Sequence, residues 1–69
     1  MTLEEMLLSL DGDGAALNNL FQLPDGMWRC NLRLVREYAG LEFATAATPA
    51  EAVRQAIEVF HRKYPEAGL

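Results

Sequence analysis

The sequence has few of the cysteines, histidines and long apolar runs that are typical of secreted, metal-binding and membrane proteins. It contains one cysteine and one histidine among 69 residues. The lone Cys30 cannot form an internal disulfide, whereas small secreted domains usually carry several pairs. No apolar run approaches the roughly 18 residues that span a bilayer. The stretch Met1–Leu10 carries acids instead of the basic residues that open a signal peptide. These absences predict a cytoplasmic chain that does not enter a membrane.

Positive charge is also scarce, because six lysines and arginines stand against ten acids and the net charge is −4. Binding along a phosphate backbone depends on clustered cations that neutralise the phosphates. An acidic chain is therefore not expected to bind duplex DNA or RNA, and it fits a protein that meets a basic partner. With 51% apolar and 23% charged residues, the composition is that of one folded domain over residues 1–69.

The motifs that resemble chemical sites fail on their spacing. The segment Asp11–Gly14 resembles part of a calcium loop, which needs a glycine at its sixth position and a glutamate at its twelfth. The chain has Ala16 and Gln22 at these positions. Neither Cys30 nor a carboxylate is spaced to complete a metal site with His61. The sequence therefore predicts a protein that is not an enzyme, with no catalytic residue, no metal site and no cofactor.

Two helices are predicted, one near each end of the chain. Thr2–Glu5 and Thr48–Glu51 both have the spacing of a capping box, which marks a helix start. The glycines and aspartates of Asp11–Gly14 end the first helix, and Pro65 ends the second. The apolar residues at helical spacing are Leu3, Met6, Leu7 and Leu10 in the first helix and Val53, Ala56, Ile57, Phe60 and Tyr64 in the second.

Three strands are predicted between the helices. Met27–Val35 alternates between apolar and polar residues, as a half-buried strand does. Pro24–Gly26 is typical of a three-residue hairpin loop, residues 37–40 predict a second loop, and Leu41–Ala47 is the third strand. The pattern of Ala15–Leu23 fits either a helix or a strand. The predicted loop that follows favours a strand over the later half of this segment. The predicted fold class is α+β, with a three-stranded antiparallel sheet and two helices on one face, in the order α-β-β-β-α.

The two loops also predict which side chains share a face of the sheet. A second loop at 37–40 places Leu34 opposite Phe43 and Leu32 opposite Thr45. The predicted inner face is then Trp28, Cys30, Leu32, Leu34, Leu41 and Phe43. A first loop at 24–26 places Phe21 opposite Arg29, and the predicted outer face is Phe21, Leu23, Met27, Arg29, Asn31, Arg33 and Val35. Small Ala44 and Ala46 would leave that outer face flat, and a one-residue slip would exchange the faces of a strand.

The outer face is the first candidate for partner binding. Its candidate contact residues are Phe21, Met27, Arg29, Asn31 and Arg33. Aromatic, methionine and arginine side chains are enriched at the cores of protein interfaces. The competing interpretation is an ordinary solvated face on which Arg29 or Arg33 pairs with Glu42 across the strands.

A second candidate surface is acidic and comprises Glu4, Glu5, Asp11 and Asp13. Together with Asp25, these carboxylates could occupy a basic groove that normally holds nucleic acid. The negative charge is therefore predicted near the first helix and its following loop, whereas two arginines mark the outer face of the sheet.

The element order resembles that of the double-stranded-RNA-binding domain. That family carries a lysine cluster at the start of its second helix, where residues 48–52 here read Thr-Pro-Ala-Glu-Ala, so its RNA contacts are not implied. Residues 46–53 are similar to the strand-to-helix junction of HicB-type antitoxins, although the family's Pro-Gly-Cys turn is missing and the first helix is extra. In size and charge the chain also resembles small phage and prophage proteins, which include inhibitors of host defence.

The leading functional expectation is a small acidic protein-binding module without catalysis. Its sharpest form is a phage-type, anti-CRISPR-like inhibitor of a host nuclease or defence complex. One alternative is an antitoxin-like or regulatory domain that forms a homodimer through its sheet. The other is a weak binder of single-stranded nucleic acid, with Phe21 as stacking platform and Arg29 and Arg33 as cations.

Overall fold

The structure, a computed structural model, describes residues 1–36 and 41–65 of the chain. The elements are α1 (Leu3–Ser9), β1 (Ala15–Gln22), β2 (Trp28–Leu34), β3 (Glu42–Ala46) and α2 (Pro49–Lys63), with a 3-10 turn at Asp11–Asp13. The strands form one antiparallel sheet in the order β1-β2-β3, which confirms the predicted α+β fold. The predicted loop at 37–40 lies outside the described residues. Within the described ranges, no helix has the length and apolar character needed to cross a membrane.

Side-chain caps start both helices. At α1 the Thr2 hydroxyl accepts from the Glu5 amide at 3.1 Å, and the Glu5 carboxylate accepts from the Thr2 amide at 2.9 Å. These bonds complete the predicted capping box and lower the pKa of Glu5. At α2 the Thr48 hydroxyl accepts from the Glu51 amide at 3.2 Å. The Glu51 carboxylate turns instead to Arg54, and that hydrogen bond holds the pKa of Glu51 at about 2.

The hairpin loop between β1 and β2 has the predicted form. The Leu23 amide donates to the Met27 carbonyl at 2.7 Å, and the Gly26 amide donates back to the Leu23 carbonyl at 2.9 Å. Gly26 has a φ of 92°, a left-handed value that glycine adopts without steric cost. The side-chain carboxylate of Asp25 accepts from the Met27 amide at 2.9 Å, and this hydrogen bond also stabilises the loop.

The segment before this loop is a strand along its whole length, not only over its later half. Phe21 lies opposite Arg29, as the loop predicted, and the pairing continues to Ala15 opposite Leu34. A β-bulge between Leu17 and Asn19 shifts the register within the strand. The bulge lets both ends of β1 keep their pairing with β2 although one extra residue is inserted.

The predicted register of β3 is wrong. Asn31, not Leu34, lies opposite Phe43, and Leu32 lies opposite Glu42 instead of Thr45. The difference amounts to three residues, and any odd shift exchanges the two faces of a strand. β2 continues to Leu34, past its last pair with β3, which is Leu32 with Glu42.

The core lies between the sheet and the two helices. Cys30, Leu32 and Leu34 face it, as predicted, and are at most 3% exposed. The predicted inward positions Leu41 and Phe43 are wrong, since they are 59% and 51% exposed. Their places are taken by small side chains, which let α2 approach the sheet closely. The buried core residues are Met6, Leu10, Ala15, Cys30, Leu32, Leu34, Ala44, Ala46, Ala52, Val53, Ala56 and Phe60.

Candidate functional site

The face of the sheet away from the helices is solvent-facing, and we call it the open face. It is formed by Asn19, Phe21, Arg29, Asn31, Arg33, Phe43 and Thr45, which alternate with the buried residues of their strands. The register aligns Phe21, Arg29 and Thr45 in one row across the sheet. Asn19, Asn31 and Phe43 form the next row. The open face therefore presents one polar or cationic strand between two edge strands that each carry a phenylalanine.

Arg29 and Phe43 form the centre of this face. The guanidinium carbon of Arg29 lies 4.1 Å from the centroid of the Phe43 ring, diagonally across two strands. Such a cation–π contact contributes about 0.5–1 kcal/mol at an exposed site. The Nε atom of Arg29 is buried and has no hydrogen-bond partner within the described part of the chain. The stacking contact thus orients the guanidinium on the open face.

The two asparagines of the open face are joined to each other. The Asn31 side-chain amide donates to the Asn19 side-chain carbonyl at 2.6 Å. Because each amide side chain has two donor hydrogens and a carbonyl oxygen, this bond leaves further hydrogen-bonding capacity. The bond links the side chains of β1 and β2 in the row that ends at Phe43.

Apolar surface remains exposed on the same face. Phe21 is 39% exposed and Phe43 is 51% exposed, and Val35, just beyond β2, is 43% exposed. Single exposed apolar residues are common. The two rings lie on opposite edge strands with the polar and cationic side chains of β2 between them, so the open face mixes apolar and polar surface.

Among residues 1–36 and 41–65, no carboxylate belongs to the open face, although the chain has a net charge of −4. Glu42, which one interpretation paired with Arg29 or Arg33, instead forms an ion pair with Lys63, and its side chain is 12% exposed. The hydrogen bond from Lys63 to this carboxylate raises the pKa of Lys63. The two arginines therefore make the open face cationic on an acidic molecule.

The acidic residues predicted as a second surface lie on other elements. Glu4 and Glu5 are in the first turn of α1, and Asp11 and Asp13 are in the 3-10 turn. Glu5 is held in the capping box, and an Asp13 oxygen lies 3.3 Å from Nε2 of His61. The structure thus brings Phe21, Arg29, Asn31 and Arg33 together and separates them from the acidic residues. Met27 lies half-buried at the hairpin end of the sheet.

Asn19, Phe43 and Thr45 are the members of the open face that the sequence prediction missed. The register error placed Phe43 in the core and Ala44 and Ala46 outside. One sequence signal was available, because Glu42, Ala44 and Ala46 share a strand face on which Glu42 can reach the basic end of α2. The contact between Asp13 and His61 was missed because those residues are far apart in sequence.

Cys30 is the nucleophilic side chain that burial disables. It is fully buried, and desolvation raises the pKa of its thiol to about 11. The usual pKa of a cysteine thiol is about 9, so the thiolate population at neutral pH falls about a hundredfold. We expect a thiol reagent such as dithiobis-nitrobenzoate to label the folded chain at least about 100-fold more slowly than the unfolded chain. Equal labelling rates with and without denaturant would contradict the burial of Cys30.

In residues 1–36 and 41–65, no group of three or more histidine, cysteine, aspartate or glutamate side chains is arranged to hold a metal ion. The chain matches no protein-family model, no curated protein sequence and no solved structure.

Proposed function

We propose that the protein is a non-catalytic protein-binding module whose contact surface is the open face. The observation that carries the proposal is the grouping of Phe21, Arg29 and Phe43, with the guanidinium stacked on a half-exposed ring. Aromatic and arginine side chains supply most of the energy in protein interfaces when they are grouped near the centre. The regular strands below them hold the group in one geometry, which lowers the entropy cost of binding.

The charge of the open face favours a partner surface that is negatively charged. The guanidinium of Arg29, which stacks on Phe43, would attract such a surface during encounter and disfavour cationic ones. The same charge disfavours a face-to-face dimer. Stacked sheets lie about 10 Å apart, so the arginines of two copies would point at each other across the interface.

The narrower proposal, inhibition of a host nuclease or defence complex, uses the acidic surface instead. Glu5 and Asp13 already have intramolecular partners, so Glu4 and Asp11 would carry the contact to a basic groove. This proposal and the open-face proposal predict contacts on different elements, and one experiment distinguishes them.

Binding of single-stranded nucleic acid is the second candidate function. Phe43 on the open face adds a second exposed ring to Phe21, and both flank cationic side chains. Stacking of a base on an aromatic side chain contributes about 1–3 kcal/mol and tolerates any sequence. The negative net charge opposes this candidate, because it lowers the general attraction to phosphates.

Site-specific photo-crosslinking in the cells that produce the chain tests these assignments. The photoreactive residue p-benzoylphenylalanine replaces Phe43 in one variant, Glu4 in a second and Leu8 in a third. Leu8 is the matched control, because it is a large apolar side chain that is 74% exposed on α1. We expect a light-dependent protein adduct from position 43 that Arg29→Ala in the same chain suppresses.

The other outcomes assign the surface differently. A protein adduct from position 4 alone would place the contact on the acidic surface. An adduct from position 43 that nuclease treatment removes would support the nucleic-acid candidate. Position 43 giving no more adduct than position 8 would contradict a role for the open face.

A further inference from the structure

The outer edge of β1 is the second surface that the fold leaves open. β1 pairs with β2 on one side, and no described strand pairs with its other side. Its eight residues, Ala-Ala-Leu-Asn-Asn-Leu-Phe-Gln, include no charged residue and no proline. Edge strands are normally protected from pairing by charges, prolines or bulges.

The two edges of the sheet differ in this protection. β3 is short, and Glu42 on it forms an ion pair with Lys63 of α2. β1 has only the bulge between Leu17 and Asn19. The part of β1 after the bulge pairs regularly with β2 up to the hairpin loop, so one regular stretch of unprotected edge remains.

The hairpin geometry identifies the backbone groups at this free edge. Leu23 and Met27 form the hydrogen-bonded pair that closes the loop. Antiparallel pairs alternate between bonded and non-bonded, so Phe21 bonds to β2, whereas the amides of Leu20 and Gln22 point away from it. Those two amides and their carbonyls are therefore the groups a further strand would pair with.

We propose that β1 pairs antiparallel with β1 of a second copy of this chain, through the segment that follows the bulge. A two-fold axis perpendicular to the sheet relates the copies and joins the two three-stranded sheets edge to edge. Near such an axis each residue of one chain lies close to the same residue of the other chain, so a charged residue would lie close to a like charge. β1 has no charged residue, and self-pairing therefore brings no repulsion.

The arginines of the open face also tolerate this arrangement. Arg29 lies on β2, so the two copies of Arg29 are separated by three strand spacings, about 14 Å. That distance exceeds the Debye length of about 8 Å at physiological ionic strength, and the repulsion is screened. Both open faces come to lie on the same side of the joined sheet, with the Phe21 rings of the two copies side by side.

The dimer buries little area, because a few residues of one strand edge provide the contact. Stable interfaces bury at least about 1,200 Å² in total, so we expect a dissociation constant in the micromolar range or weaker. The fraction of dimer should therefore rise with protein concentration, and that rise is what reveals the dimer.

Amide hydrogen exchange by NMR, measured on the full chain from micromolar to millimolar concentration, tests the edge pairing. We expect exchange at the Leu20 and Gln22 amides to slow as concentration rises, while exchange at the Phe21 amide changes little. Sedimentation equilibrium on the same samples measures the monomer–dimer equilibrium. A monomer at every concentration, with unchanged exchange at Leu20 and Gln22, would overturn the proposal.

Two substitutions of Gln22 supply the controls. Gln22→Pro removes an outward amide and leaves the bonds to β2 intact, since edge strands accept proline where the N–H faces solvent. Gln22→Ala keeps the amide and removes the same side chain. We expect Gln22→Ala to dimerise like the parent chain and Gln22→Pro to stay monomeric.

Gln22→Lys covers the case in which the proline variant does not fold. This substitution keeps the backbone amide. In the dimer the new lysine side chains of the two copies would lie near each other and repel, so dimerisation should weaken and should recover with added salt. Undiminished dimerisation of a folded Gln22→Pro chain, or of Gln22→Lys at low salt, would show that another surface pairs the copies.

Discussion

Replacing Phe60 with alanine should remove most of the protein's stability. Phe60 is 1% exposed and packs at the centre of the core, and deleting a buried phenylalanine side chain costs about 3–5 kcal/mol. At about 0.05–0.15 kcal/mol per residue, a chain of this length has a total of roughly 3–10 kcal/mol. Urea denaturation followed by circular dichroism should therefore show a Phe60→Ala chain that is largely unfolded or close to its midpoint without denaturant.

Phe43→Ala is the matched control, because it deletes the same side chain from the open face. Phe43 is 51% exposed, and its loss removes the Arg29 stacking and part of its apolar burial. We expect a change of about 1 kcal/mol or less in the free energy of unfolding. A loss of similar size for the two substitutions would mean that Phe43 also belongs to the core.

Placing aspartate at two neighbouring positions of β3 should have opposite outcomes. Ala44 is 9% exposed beneath α2, and a carboxylate there would be buried without a partner. Such burial costs several kcal/mol, enough to unfold a small domain. Phe43→Asp places the same charge on the open face, beside the guanidinium of Arg29, and should leave the chain folded. Thermal unfolding of the two variants measures the difference.

This pair of variants tests the β3 register without further structural work. The register expected from a tight loop at 37–40 would bury Phe43 and expose Ala44, so it predicts the reverse order of stabilities. If the Ala44→Asp chain folded and the Phe43→Asp chain did not, the result would contradict the register in which Phe43 lies opposite Asn31.

Local signals in the sequence were sufficient for most of the fold. The capping box at Thr2, the cap at Thr48 and the loop at Pro24–Gly26 each depend on residues a few positions apart. Their geometry is therefore set by short-range hydrogen bonds and backbone preferences. The alternation of Met27–Val35 likewise identified the buried face of β2, because the period of a strand is two.

The register of β3 depended on information that the sequence does not display locally. Hydrophobicity assigned Phe43 to the core, but the packing of α2 against the sheet needed small side chains at Ala44 and Ala46. With the two alanines facing α2, the alternation of the strand turns Phe43 outward.

The sequence predicted only part of the candidate site, because the error in the β3 register also affected this surface. Phe21, Arg29, Asn31 and Arg33 lie on β1 and β2, whose register the hairpin loop determined correctly. Phe43 comes from β3 and was assigned to the wrong face, so the stacking of Arg29 on it could not be anticipated. The structure therefore replaces a flat outer face lined by alanines with an aromatic and cationic one.

The most direct test of the open-face account is the affinity of the crosslinked partner for the Phe43→Ala chain, measured by isothermal titration calorimetry. Truncating an interface hot spot costs at least about 2 kcal/mol, which corresponds to a roughly 30-fold weaker dissociation constant. The account predicts that loss for Phe43→Ala and an unchanged affinity for Leu8→Ala. Equal affinities of the parent and Phe43→Ala chains, with both chains folded, would contradict it.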